Sequence, residues 1–262
     1  MVFDDYGTNY IYLFAACFSI VPALALSKKG VSKNASLTKR SAYYVLMGVG
    51  FIFATFPFTG ILYPDFESGG STPNLIRQAR GPLNLYFCMA ASMITAYISG
   101  IFGGKLNLRD SLIGSLAGGL SLSSVAGFMP NIGACICVGT TSGFLTGLWL
   151  KKVHPFMNTV IKMDELGFIG PVFFNSILGA LVVSPVTLTI LKHSGISNAA
   201  LPLPITSEAI NYQVAFVGIF FLGGTITGLV SLIFTLGCYS EQQLNYGNKM
   251  ISINFGLYDD PK

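Results

Sequence analysis

Charge is what this chain most conspicuously lacks. Asp, Glu, Lys and Arg together make up 10% of its 262 residues, against about 25% in an ordinary soluble domain. So few charges exclude a water-exposed globular surface, and a net charge of only +4, confined to loops, excludes nucleic acid as a partner. Histidine is nearly absent too: His154 and His193 are the only two, and both fall outside the long apolar runs. No Ser-His, Cys-His or carboxylate pair can therefore be assembled within those runs, and we read the chain as not an enzyme. Ionisable groups inside a membrane mark proton relays and ion-coupled paths. With none in the runs, what remains is a neutral-solute path, a protein-packing role, or both. The five cysteines (17, 88, 135, 137, 238) stand in or beside apolar runs without the spacing of a disulfide framework or a zinc site, so no cofactor or metal is expected. The opening MVFDDYGTNY is acidic and has neither the basic start of a secretory signal nor an Arg-rich presequence.

What the chain has is hydrophobicity, at 52% of residues and a mean hydropathy of +0.64. Runs long enough to cross about 30 Å of hydrocarbon fall at roughly 10–26, 42–63, 83–103, 111–128, 132–150, 168–191 and 213–237. The loops supply an independent check. Twelve of the fifteen Lys and Arg residues lie in 27–41, 104–110, 151–167 and the tail from 238, while Arg77, Arg80 and Lys192 lie on the other side. The positive-inside rule then sets the N-terminus outside and the C-terminus inside, which an even number of spans would scramble. The expected fold is an all-α integral membrane bundle of seven transmembrane helices in a single membrane domain, 1–262.

Small residues mark where these helices pack. Gly114, Gly118 and Gly119 recur in one run, and Gly139, Gly143 and Gly147 stand four apart in the next. Glycines at that spacing share one helix face and let a neighbouring backbone come close. Pro82 is expected to open the third span, and Met129-Pro130-Asn131 to form a corner between the fourth and fifth.

From the second span onward the chain resembles the ammonium transporter and Rhesus family, closer to its Rhesus branch. The resemblance is carried by Tyr63-Pro64-Asp65-Phe66-Glu67-Ser68, Asn84-Leu85-Tyr86-Phe87 with Ala90-Ala91, and Gly104-Lys105-Leu106-Asn107. It continues through Leu116-Ala117-Gly118-Gly119, Met129-Pro130 with Gly133-Ala134, Asp164 with Gly167, and Gly223-Gly224 with Thr227-Gly228. Asp4, Gly7 and Phe14-Ala15-Ala16 extend the match into the first span. The resemblance implies a partial bundle holding the last seven of the family's eleven helices. It also implies that the family's paired pore histidines fall at Tyr12 and Val172, each eight residues after an Asp (Asp4 and Asp164), so both are degenerate pore positions. Asp4, Phe66 and Phe87 are the candidate outer vestibule, although Asp4 is better suited to cap a helix beside Asp5, since Tyr12 has removed what it would serve.

Two functions follow. The first is a degenerate Rhesus-like protein acting as a non-catalytic accessory or structural subunit, with other membrane subunits and lipids covering the face left by the missing helices. Such a subunit suits a large energy-transducing assembly, for instance a respiratory complex of the mitochondrial inner membrane. The second is an ammonium or ammonia channel in the plasma membrane, complete only with a partner that supplies those helices.

Overall fold

A computed structural model describes residues 4, 6–26, 39–58, 72–103, 106–160, 167–193 and 207–238. Every regular element among them is helical. They are α1 (Phe14–Leu26), α2 (Lys39–Thr55), α3 (Thr72–Ser99), α4 (Leu108–Ser123), α5 (Ile132–Leu148), α6 (His154–Val160), α7 (Ile169–Ile177), α8 (Ser184–His193) and α9 (Ser207–Cys238). Wider π-helical segments lead into α1 (Thr8–Leu13) and join α5 to α6 (Trp149–Val153) and α7 to α8 (Leu178–Val183). Read through those joins, the described residues form seven helical rods.

Three rods are long and apolar enough to cross a membrane among the described residues: Ile132–Met157, Ile169–Ile190 and Asn211–Phe234. The others differ from the expected spans for identifiable reasons. Helix α3 starts at Thr72, so Pro82 lies inside it rather than opening it, and the rod includes Arg77 and Arg80. Membrane helices tolerate such a proline because neighbours resupply the lost bond. Helix α4 stops at Ser123 and gives way to turns over 124–128, short of the expected 128. The rod beginning with α5 continues ten residues past the expected 150, to Val160, through the π segment and α6.

The bundle is built around α3, which is held between α4 and α5. On α4, a Cβ at Gly118 would lie 2.5 Å from Ser92 Cβ and 2.8 Å from the Cys88 carbonyl, and one at Gly114 would lie 2.5 Å from Ala96 Cβ. On α5, a Cβ at Gly139 would overlap the Cys88 carbonyl, one at Gly143 the Ser92 carbonyl, and one at Gly147 the Ser99 side chain. The same short stretch of α3 backbone is thus approached from both sides at distances that only glycine permits. Hydrogen bonds sit in the seam: Ser92 Oγ donates to the Gly114 carbonyl (2.6 Å) and Cys88 Sγ to the Gly118 carbonyl (3.1 Å).

A second glycine seam joins α1 to α9, where a Cβ at Gly224 would lie 2.7 Å from the Phe14 carbonyl and one at Gly228 2.8 Å from that of Phe18. The corner between α4 and α5 is closed by side chains. Asn84 on α3, 1% exposed, donates to the carbonyls of Ala126 (2.8 Å) and Met129 (2.9 Å) in the turns that follow α4. Asn131 then caps α5 by accepting from the Gly133 amide at 2.8 Å.

Gly143→Leu is expected to destabilise the protein by about 3 kcal/mol, because the added side chain must displace α3 backbone. Gly218, with nothing within 4 Å of its would-be Cβ, is the control: Gly218→Leu should stay within about 0.5 kcal/mol. Thermal unfolding in detergent measures both.

Candidate functional site

The two positions that would hold the family's histidines lie against one buried cluster. Tyr12 belongs to the π segment Thr8–Leu13, entered through Gly7 in the left-handed region (φ 75). Val172 stands in the first turn of α7, which packs against that segment. Both side chains lie against the same buried cluster, which includes Phe56, Leu85, Met89, Leu120 and Val183. The ring of Phe56 is 5.7 Å from that of Tyr12. A Cβ at Gly119 would lie 2.7 Å from Phe56 Cε1, so this glycine makes the room Phe56 occupies. An apolar, ring-filled layer with no ionisable carboxylate, amine or imidazole among the cluster's members stands at these positions. Such a layer offers nothing to offset the desolvation of an ion.

The remaining expected site residues are spread more widely. Asp4 is half-buried, and its carbonyl accepts from the Gly7 amide at 3.4 Å. Gly7, not Asp4, occupies the capping position of the first helical segment. Phe87 is 40% exposed and lies on the outward side of α3 with Leu83, Ile94 and Ile98. Phe66 lies outside the described residues. Of the packing glycines, Gly118, Gly139, Gly143 and Gly147 face α3, and Gly119 faces Phe56.

Several residues that sequence reasoning did not single out help to set this geometry. Asn175, 1% exposed, fixes α7 to α5 by accepting from Ser142 Oγ (2.6 Å) and donating to Thr146 Oγ1 (3.1 Å) and the Pro171 carbonyl (2.8 Å). It stands three residues after Val172 and therefore holds the turn that carries that side chain. The signal for it was available: Ser142 and Thr146 lie four apart, each one residue before a glycine of the α5 seam. That spacing predicts a polar stripe beside the glycine face. Trp149 lies flat enough on Gly170 that a Cβ there would overlap its indole, and its ring is 4.9 Å from Phe174.

An ion pair between described residues lies at the basic end of the bundle. Asp110, 3% exposed in the first turn of α4, pairs with Lys151 in the π segment after α5 at 2.7 Å. Gly167, with φ +67, comes close to it through Arg109: its would-be Cβ lies 2.9 Å from Arg109 Nη2 and 3.2 Å from His154 Cδ2. The pair ties the start of α4 to the end of α5, so that the two walls gripping α3 are joined outside the apolar layer as well.

Removing one partner strands the other, and Lys151 is partly solvated. Asp110→Asn is therefore expected to cost about 2 kcal/mol, between the values for exposed and fully buried pairs. Adding Lys151→Met should recover about half of it, as read by a double-mutant cycle of thermal stabilities.

No family model matches the chain. Among curated proteins it is similar to the ammonium transporter Rh type C of Tetraodon nigroviridis, 23% identical over 206 residues that cover 74% of this chain and 42% of that one. It is similar also to the ammonium transporter Rh type A of Bos taurus, 25% identical over 231 residues covering 84% and 49%. The chain thus spans between about a third and a half of the length of such relatives. Among solved structures, the Rhesus channel Rh50 of Nitrosomonas europaea matches with a TM-score of 0.66 at 16% identity, covering 91% of this chain and 56% of that one. The bundle therefore has the Rhesus channel fold. The order of motifs, the relatives and the fold agree: the chain is similar to the ammonium transporters and Rhesus proteins, and most closely resembles their Rhesus branch.

Proposed function

We propose that this chain forms one side of a Rhesus-type pathway in the plasma membrane for ammonia, carried as the neutral molecule, and that it does no bond-making chemistry. The observation that carries the reading is the match of 91% of the chain to a Rhesus channel. It is supported by relatives that are named ammonium transporters. The neutral form is favoured by the apolar layer at Tyr12 and Val172, where an ammonium ion would lose its hydration without a compensating charge. Helices corresponding to the rest of the relatives' length, in the same polypeptide or another, complete the wall. The basic loops lie on the inner side in this reading.

The accessory-subunit role has one observation on its side, the filling of the layer by Tyr12, Phe56 and their neighbours. The relatives' names give it no support, and none points to a mitochondrial assembly. It predicts stoichiometric co-purification of other membrane proteins in mild detergent; a chain that purifies alone and folded removes it.

In proteoliposomes exposed to an ammonium gradient, the protein is expected to speed internal alkalinisation several-fold over empty liposomes. The double change Tyr12→His with Val172→His should raise that rate further, because imidazoles restore hydrogen-bonding partners along the layer. A wild-type rate equal to that of empty liposomes sinks the conduction reading.

A further inference from the structure

Among the described residues, two buried hydroxyls are left over when the hydrogen bonds of the bundle are traced. Ser176 Oγ on α7 and Ser184 Oγ at the start of α8 are fully buried and have no hydrogen-bond partner. Nearby hydroxyls are satisfied: Ser124 donates to the Gly179 carbonyl (3.2 Å), Ser142 to Asn175 (2.6 Å) and Thr187 to the Val183 carbonyl (2.8 Å). A serine on a helix commonly donates back to its own preceding turn, so two that do not, on one rod, call for a partner of another kind.

Their placement points to one. Between them runs the π segment Leu178–Val183, whose extra residue turns Ser184, eight positions on, back toward the face that carries Ser176. Val172 lies one turn before Ser176 on that face. Along the rod, Val172 and Val183 pack into one buried cluster while Phe173, Ile177 and Ala180 pack into a second, which also holds Leu13, Cys17 and Val217. The two hydroxyls thus stand on the seam between two apolar clusters, in line with a position that would carry a pore histidine. Between the two hydroxyls the rod packs directly on α4: a Cβ at Gly179 would lie 2.7 Å from the Leu120 carbonyl and 3.0 Å from that of Ser121.

We propose that Ser176 and Ser184 are two hydrogen-bonding stations for a water-sized neutral molecule, water or ammonia, on the α7–α8 face that carries Val172. A hydroxyl both donates and accepts, so it can hand such a molecule either role. It carries no charge to balance an ion brought out of water. A polar pair in apolar walls is also the setting in which an internal water is held rather than excluded. The inference deepens the conduction reading, which it needs for passage but not for occupancy.

Occupancy is therefore tested separately. A high-resolution cryo-EM map of the wild-type protein in ammonium-free buffer should show water-sized density within hydrogen-bonding distance of each Oγ. That density should vanish beside the altered residue in Ser176→Ala and in Ser184→Ala. Both variants should melt no lower than wild type, because neither loses a bond to protein. Empty space beside both hydroxyls, or a clear fall in melting temperature on either change, overturns the stations. In proteoliposomes that conduct, each change should slow ammonia entry about fivefold, the loss of one hydrogen bond's worth of binding. Osmotic water entry measured alongside tells which molecule uses the path, and a double variant within twofold of wild type for both overturns their part in passage. A wild type that conducts neither while keeping the density refutes the conduction reading alone.

Discussion

The rest of the structure depends on the backbone of α3 being gripped from two sides. The carbonyls of Cys88 and Ser92 each face a glycine of α4 or α5 at a distance where a methyl group would not fit. In lipid there is little hydrophobic gain from bringing helices together, so close van der Waals contact and inter-helix hydrogen bonds must supply the association. Here they coincide: the serine and cysteine that sit in the glycine grooves also donate to the carbonyls of α4. Once α3, α4 and α5 are set, Asn84 closes the corner between α4 and α5, and Asn175 docks α7 on α5 beside its glycine face. On that frame Tyr12, Phe56 and Val172 share one buried cluster.

This order explains how polar residues are used. The described interior of the bundle holds serines, threonines and asparagines rather than carboxylates and amines, and most of their hydrogen bonds end on backbone carbonyls. Such bonds position helices at a modest cost in desolvation, where a buried ion would demand a partner of its own. The exception, Asp110 with Lys151, lies at the basic end of the bundle, away from the apolar layer. Polarity in the described residues is used to hold helices, and the cluster around Tyr12 and Val172 is left without charge.

Much of the fold was legible in the residues. The shortage of charge and the apolar runs pointed to a helical membrane protein, and the ordered motifs from Tyr63 to Gly228 pointed to the Rhesus branch. Helix ends were less legible. Pro82 reads as a start, yet α3 runs through it. The corner before Pro130 begins earlier than hydrophobicity alone suggests, because Ser124 to Phe128 are apolar enough for a span but turn out of the helix. The positions of Tyr12 and Val172 could be counted from Asp4 and Asp164, but the ring that packs against Tyr12 could not. Phe56 comes from another helix, and its place depends on Gly119, which has the look of a packing glycine facing α3. Asn175 and the unpartnered Ser176 were hidden for a related reason: one turn of helix separates a clamp from a candidate station, and only three-dimensional neighbours tell them apart.

The central claim is that the apolar layer passes ammonia without charge. Recording internal pH and transmembrane current together, on reconstituted protein given an ammonium step, tests it most directly. The account predicts alkalinisation above that of protein-free membranes with no accompanying current. A current that grows with the ammonium concentration, or no alkalinisation above the protein-free membrane, would contradict it.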